Sequence, residues 1–443
     1  MAAIKTKLFL LGLFVTVLLA GPAGAVTATW NAASDNPITA SGYTASGTLD
    51  FALNFAPPVG TTLTVVKNTG AAFIAGTFSN VAQGQTVLLS YNGVVYPFVA
   101  NYFGGTGNDL VLQWLYVRPL GWGYDGYGEL GNNNTVQSNV PVSVLTTGVL
   151  SRKTVMALAA GKFHSLAVCS DGTLAAWGTN SSGHLGNNST ASSSVPVAVV
   201  QSGVLSGKTV IAVAGGALHS LALCSDGTVA SWGSNTYGQL GNNLAPQSIV
   251  PAGVTQSGAL SGKTAVAVAA GQFHNLALCS DGTVAAWGLN DSGQLGDNGV
   301  SGSQTSVPVA VVQNGVLAGK TVVAVAAGQS HNLALCSDGT LAAWGLNGNG
   351  QLGDNLASGS QSSVPVAVAR TGVLAGKTIT AISAGQFHSL ALCSDGTLAA
   401  WGYNFYGQLG DNQASGTQSS VPVAVLRSGA LSGKTVIGIS GHG

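Results

Sequence analysis

Five histidines, His164, His219, His274, His331 and His388, each stand five residues ahead of a cysteine: Cys169, Cys224, Cys279, Cys336 and Cys393. Imidazole and thiolate together are the ligand types of a zinc or other soft-metal centre. On a strand, however, an odd separation places two side chains on opposite faces. The matching positions of neighbouring copies are too far apart to share one ion. Disulfides fail for a related reason, because five is an odd number and like positions spread around a ring cannot approach within bonding distance. The residues therefore read as structural, each histidine bonding a neighbouring backbone or loop and each cysteine acting as a small buried apolar group. No metal and no cofactor is expected.

The other reactive groups are few. Glu129 is the single glutamate of the chain, and with Asp125 it is the pair on which a polysaccharide-active enzyme would have to rely. Asp171, Asp226, Asp281, Asp338 and Asp395 each precede a glycine, as turn residues do. Gly203-Val-Leu-Ser-Gly-Lys208-Thr209 imitates a phosphate-binding loop, but three residues separate its glycines instead of four and a β-prone run follows it. Related turns recur at 258–264, 315–321, 372–378 and 429–435, which makes them structural. No copy departs from the others to gather acids, bases and nucleophiles at one place, so catalysis is not expected.

The elements that must carry these residues repeat with them. The histidines are spaced 55, 55, 57 and 57 residues apart, and Trp177, Trp232, Trp287, Trp344 and Trp401 keep the same intervals. A fixed period of this size means a repeat architecture. Within one copy, His164–Ser170 and Thr173–Gly178 are apolar runs around Asp171-Gly172, which predicts a hairpin with a type I′ turn. Ser194–Val200 is a third strand, confined by Pro196 to an edge or a strand start, and Thr209–Ala214 is a fourth. Four short strands per copy, repeated radially, predict an all-β chain with a β-propeller of four-stranded blades. Trp122-Gly-Tyr-Asp-Gly-Tyr-Gly-Glu-Leu-Gly131 begins a unit without its own histidine hairpin, and Thr435–Ser440 is a strand with no hairpin after it. About six sectors result, one of them incomplete, with Leu110–Trp114 a candidate to fill the missing strand.

The string Gly-x-x-His-Ser-Leu-Ala-Leu, Asp-Gly-Thr, Trp-Gly-x-Asn-x-x-Gly-Gln-Leu-Gly resembles the repeat of the regulator of chromosome condensation family. It stands at 216–241, 271–296, 328–353 and 385–410, and at 161–186 with His184 in place of glutamine; Asn275 and Asn332 replace the serine after histidine. The resemblance implies a propeller, usually of seven blades. The family includes an exchange factor for a nuclear GTPase, a plant ultraviolet receptor and many bacterial proteins. The tryptophans Trp122, Trp177, Trp232, Trp287, Trp344 and Trp401 belong to every unit, so core packing is their expected role.

Charged residues make up only 6% of the chain, with 14 basic and 14 acidic side chains. Nucleic-acid binding needs clustered lysine and arginine, whereas Lys208, Lys263, Lys320, Lys377 and Lys434 recur once per repeat, so no nucleic-acid partner is expected. Residues 1–25 read as a signal peptide, with Lys5 and Lys7, an apolar stretch from Leu8 to Ala20, and the cleavage pattern Ala23-Gly-Ala25. No transmembrane segment is expected after its removal. Residues 26–115 form a small β-rich module resembling those of bacterial exported and autotransporter-type proteins, and 116–443 form the propeller. Its Gly107-Asn108-Asp109 reads as a plain turn in preference to a calcium loop.

What varies between copies is the loop tips, and variable loops on a rigid frame are where binding lives. Tyr127, Phe163, Tyr237, Phe273, Phe387, Phe405 and Tyr406 are the candidate contact residues, suited to a protein or glycan partner. The expectation is an exported, non-catalytic binding or adhesion scaffold at the bacterial surface or outside the cell. The alternatives are a GTPase exchange factor, implied by the resemblance, and the polysaccharide-active enzyme.

Overall fold

A computed structural model describes residues 26–434, 436 and 439–441, apart from short breaks at 58–60, 71–73, 84, 93, 105–107, 115–118, 152, 154, 170, 244–245, 357–358 and 414–415. The signal-peptide reading of 1–25 lies outside the described residues. The chain divides into two compact units, one ending at Leu115 and one beginning at Tyr116.

In the first unit, Ile38–Ala40, Thr62–Asn68, Asp109–Trp114, Val94–Gly104 and Thr86–Tyr91 form a five-stranded sheet in that order. Trp30, Leu49, Leu63, Phe78, Phe98 and Leu110 fill its core, and the Trp30 indole N–H donates to the Thr64 carbonyl at 2.9 Å. Leu110–Trp114 pairs with strands of this unit on both sides. It therefore completes no blade, because its pairing groups are already used. The Asn108–Asp109 turn also ties this unit together. Asp109 Oδ1 accepts the Asn68 N–H at 2.8 Å, and Asn108 Nδ2 donates to the Gly70 carbonyl at 2.5 Å.

The second unit contains five four-stranded antiparallel sheets among its described residues. The first runs Val155–Ala160, His164–Cys169, Leu174–Gly178, Ser193–Ala198, and the other four repeat the order. Before them lies a two-stranded sheet, Leu120–Gly123 with Ser138–Ser143. The proline-bearing strand is outermost in each four-stranded sheet, as a residue without an N–H requires. The Asp-Gly hairpins differ from expectation. Only the glycine has positive φ, 77° at Gly172. The Gly172 N–H donates to the Cys169 carbonyl, and the Cys169 N–H to Thr173. This is a type I turn closed by a glycine bulge. It leaves the Asp171 carboxylate free to accept the Thr173 N–H and hydroxyl.

Because strand side chains alternate, a sheet inside the run faces two neighbours. Leu166 and Val168 pack with Ala222, Cys224 and Trp232 of the following sheet, while Ala167 and Cys169 pack with Trp177, Val144 and Leu150 toward the preceding one. All five cysteines are buried and free, and burial raises their thiol pKa values. The first four histidines face the other way and bond a side chain of the next sheet, not a backbone or loop. His164 Nε2 lies 2.8 Å from Ser220 Oγ, His219 Nε2 2.7 Å from Asn275 Oδ1, His274 Nε2 2.8 Å from Asn332 Oδ1 and His331 Nε2 3.0 Å from Ser389 Oγ.

Each of those partners passes the link on. Ser220 Oγ, Asn275 Nδ2, Asn332 Nδ2 and Ser389 Oγ donate to the carbonyls of His184, Gln239, Gln294 and Gln351. The same carbonyls accept the indole N–H groups of Trp232, Trp287, Trp344 and Trp401 at 2.9 to 3.1 Å. An Asn Oδ1 whose amide nitrogen already donates must accept from histidine, which fixes the Nε2–H tautomer. The repeat thus joins its sheets through neutral histidine, amide or hydroxyl, and indole groups.

Trp122 departs from the structural role expected of it. The other five repeat tryptophans are at most 2% exposed and Trp122 is 63% exposed, and among the described residues no Leu-Gly turn packs on its ring as one does on each of the others.

Candidate functional site

Strand direction sorts the loops onto two rims. One rim carries the Asp-Gly hairpins and the 3₁₀ turns that follow each outer strand. There Lys153, Lys208, Lys263, Lys320 and Lys377 pair with Asp171, Asp226, Asp281, Asp338 and Asp395. Each ammonium also reaches a threonine, at 2.8 Å between Lys208 and Thr228. Lysines held this way hold Asp226 and Asp338 down to about 2, and they account for the Gly-Lys-Thr turns as hairpin braces. These pairs are about half exposed on the carboxylate side, so each stabilises the fold little.

The opposite rim carries the turns before each histidine and the long loops after each tryptophan strand. The five turns meet around a cavity of about 60 Å³ lined by Lys162, Ala217, Gln272, Gln329 and Gln386. They are linked in series: Lys162 N–H to Gly216, Ala217 to Gln272, Gln272 to Gln329 and Gln329 to Gln386. Lys162 lies 5.3 Å from the centre of the Phe163 ring.

The aromatic candidates occupy this rim too. The Tyr403 N–H donates to the Phe387 carbonyl at 2.9 Å, and this bond ties the end of the strand Leu398–Asn404 to the turn before His388. Phe387, Tyr403, Phe405 and Tyr406 then form one cluster. Phe387 and Phe405 lie 6.0 and 5.9 Å from Tyr403, and Phe405 lies 5.1 Å from Tyr406. Phe405 is 51% and Tyr406 81% exposed. Tyr237 and Phe273, from adjacent sheets, form a second pair at 5.0 Å. Phe163 stands with Lys162, and Tyr127 stands apart in the first sector, so the seven candidates make no single patch. Tyr403 was missed, although its place after Trp401-Gly, where four other copies carry threonine, serine or leucine and only the first carries a tyrosine, Tyr124, was visible.

The loops rest on a buried asparagine. Asn180, Asn235, Asn290, Asn347 and Asn404 accept, through Oδ1, the N–H of the leucine five residues on. Their Nδ2 groups donate back into the loop, as Asn180 does to Ser189 and Ala191. In the first sector Asp125 takes this place. Its Oδ1 accepts the Leu130 N–H at 2.8 Å, while Oδ2 is buried with no partner among the described residues. Burial raises its pKa. Glu129 Oε2 likewise accepts the Tyr127 N–H, as Gln239 does from Tyr237. Asp125 thus stands where every other copy carries asparagine, and Glu129 where four of the other five carry glutamine and the remaining one carries His184.

Asp125→Asn is expected to stabilise the protein by about 1–2 kcal/mol at pH 7, since it restores the missing donor. The gain should shrink in acid, where the aspartate of the folded protein takes up a proton and ceases to cost stability. Chemical denaturation of both proteins at pH 7 and pH 4 checks this. A destabilised variant would show that the carboxylate has a use.

The profile of the RCC1-like domain matches residues 194–442, and profiles of the regulator of chromosome condensation (RCC1) repeat match 120–168 and 157–183. Ultraviolet-B receptor UVR8 of Arabidopsis thaliana is 29% identical over 294 residues, which cover 66% of this chain and 62% of the receptor. The E3 ubiquitin-protein ligase HERC2 of Homo sapiens is 33% identical over 307 residues, 69% of this chain and 6% of the ligase. The chain thus spans less than two thirds of the length of these relatives. Among solved structures, human WBSCR16 superposes with a TM-score of 0.59 at 26% identity, covering 69% of this chain and 77% of that one. Prp20p from Saccharomyces cerevisiae gives 0.62 at 22%, covering 79% and 81%. With its four-stranded sheets arranged as these propellers arrange theirs, and with the RCC1-like profile matching more than half of it, the chain belongs to the RCC1-like domain family.

Proposed function

We propose that this chain is an exported, non-catalytic propeller that binds a protein partner through the rim carrying the long loops, at the cell surface or outside the cell. The observation that carries the reading is the cluster of Phe387, Tyr403, Phe405 and Tyr406, open to solvent on a rim with few charges. Exposed aromatics on a rigid frame are the usual anchors of protein interfaces. The relatives support the choice of partner class, since Prp20p is described by its binding to Gsp1p and histones. Export is supported by the pattern of residues 1–25 and by buried thiols, which survive outside the cell.

A screen of secreted proteins and glycans against the chain, run beside Phe405→Ser/Tyr406→Ser, tests the reading. Capture of a discrete protein, weakened at least about 30-fold in the variant with its melting temperature unchanged, is expected. Equal capture by both proteins would remove the cluster from the interface. Turnover of a glycan lost with Glu129→Gln, or capture of nucleotide-free GTPases instead, would replace the reading with one of its two rivals.

A further inference from the structure

The turns before the repeat histidines, which meet around the cavity of the loop rim, differ from one another at a single kind of position. Each begins with a glycine, because a Cβ there would strike the histidine ring, at 2.1 Å from His274 Cε1 for Gly271 and 2.3 Å from His331 Cε1 for Gly328. The histidine strut thus accounts for the glycine. It does not account for the residue that follows. That residue is glutamine at 272, 329 and 386 but alanine at 217, and the strut beside Ala217 is intact, with His219 Nε2 at 2.7 Å from Asn275 Oδ1. The fold therefore works without an amide at this place.

Gln272 and Gln329 lie inside the run, each with a described turn on both sides. Their backbones are joined, the Gln272 N–H donating to the Gln329 carbonyl at 3.1 Å. Their side-chain amides bond no protein group among the described residues. The Gln329 Oε1 is buried without a partner, an arrangement that costs about 1–3 kcal/mol when nothing meets the oxygen. The wall around it is Ala270, Gly271, Ala327 and Gly328, whose side chains have no polar atom to offer. Amides that the fold does not need, and that the protein leaves unmet in a cavity, are free for a ligand.

We propose that this cavity binds the neighbouring hydroxyl groups of a polyol, either a free one or the terminal sugar of a glycan. Each amide presents an oxygen that accepts and an NH₂ that donates. A hydroxyl also does both, so a pair of hydroxyls answers Gln272 and Gln329 together. A carboxylate has no proton for the Gln329 Oε1. An ammonium has nothing to accept the amide protons, and it would meet Lys162, a charged residue in the lining. Size agrees with this choice. About 60 Å³ has room for about four to six water-sized groups, which is two adjacent hydroxyls with their carbons. The rest of a sugar ring stays outside. The site goes beyond the protein interface proposed above, and neither Phe405 nor Tyr406 lines it.

Saturation-transfer nuclear magnetic resonance on the full chain tests this, with glycerol, glucose, galactose and mannose as probes and acetate and methylammonium as controls. At least one polyol is expected to bind saturably, with a dissociation constant on the order of 1 mM. Gln272→Ala/Gln329→Ala should weaken it at least about tenfold with an unchanged melting temperature, since Ala217 already occupies this position in another copy. Gln329→Met, which keeps the length and removes the amide, should weaken it in the same direction. Phe405→Ser/Tyr406→Ser should bind as the parent does. A trisaccharide ending in the bound sugar tells the two sources apart: equal or tighter binding makes the ligand a glycan end, and exclusion makes it a free polyol. No saturable signal from any polyol, binding unchanged in both glutamine variants, or preference for acetate or methylammonium would overturn the proposal. Loss of binding in the Phe405/Tyr406 variant would overturn it as well, by placing the sugar on the aromatic cluster.

Discussion

Trp287→Ala is expected to cost about 3–5 kcal/mol of stability, and Trp122→Ala no more than about 0.5 kcal/mol. The two residues hold the same place in the repeat, so the contrast isolates what the sector interface contributes. Trp287 is fully buried against Leu221, Leu223, Val254 and Leu260, and its removal leaves a cavity between two sheets. Its indole N–H also reaches the Gln239 carbonyl at 3.0 Å. That carbonyl keeps the Asn275 amide at 2.8 Å when the indole is lost. Trp287→Phe should therefore cost about 1–2 kcal/mol, between the other two. Urea unfolding of the three variants beside the parent gives the comparison. Equal losses at 287 and 122 would mean that the interface is not what holds the sheets together.

Acid should dismantle the propeller unit over a window set by its histidines. Burial lowers His184, His219 and His274 from 6.5 to about 4, and His331 to about 3. His388 is lowered in the same direction by the same cause. An unfolded chain takes up these protons at its ordinary pKa, so between pH 6.5 and about 4 it binds more protons than the folded one. Stability is then complete above pH 6.5 and falls as the pH drops through about 4. A displacement from 6.5 to about 4 corresponds to about 3 kcal/mol per histidine. Four such groups together approach the whole stability of an ordinary domain, so unfolding should set in before all are charged. The lowered aspartates of the hairpins act in the same direction at lower pH. Asp125, whose pKa is raised, acts against them. Circular dichroism at constant temperature from pH 8 to 3 should show one cooperative loss below about pH 5. A flat signal through pH 4 would mean that the ring nitrogens are not held neutral in a dry interface.

Much of this frame was legible because each sector repeats one set of physical demands. The proline of the third run announced an edge strand, the odd His-to-Cys spacing announced opposite faces, and the tryptophan period announced the core. The Asp-Gly pair announced a hairpin but misled on the turn. The aspartate side chain was free to bind Thr173 and Lys153, which a type I turn with a glycine bulge permits. Contacts between sectors were not legible. That His219 meets Asn275 depends on the placing of two sheets, and the sequence shows only that both residues recur. The fate of Leu110–Trp114 was hidden likewise, since a β-prone run does not say which sheet it joins. At the loop rim the individual aromatics were visible, but their clustering was not, because the bond from Tyr403 to Phe387 closes between a strand end and a turn 16 residues apart in sequence.

The account rests on the repeat histidines being neutral struts between sheets, with binding left to the loops. Titration of the histidine Cε1–H resonances by nuclear magnetic resonance tests this most directly. His219 and His274 should stay neutral down to about pH 4 for as long as the protein is folded. Histidines that titrate near 6.5 in the folded protein would place these rings in water, and the struts would not exist.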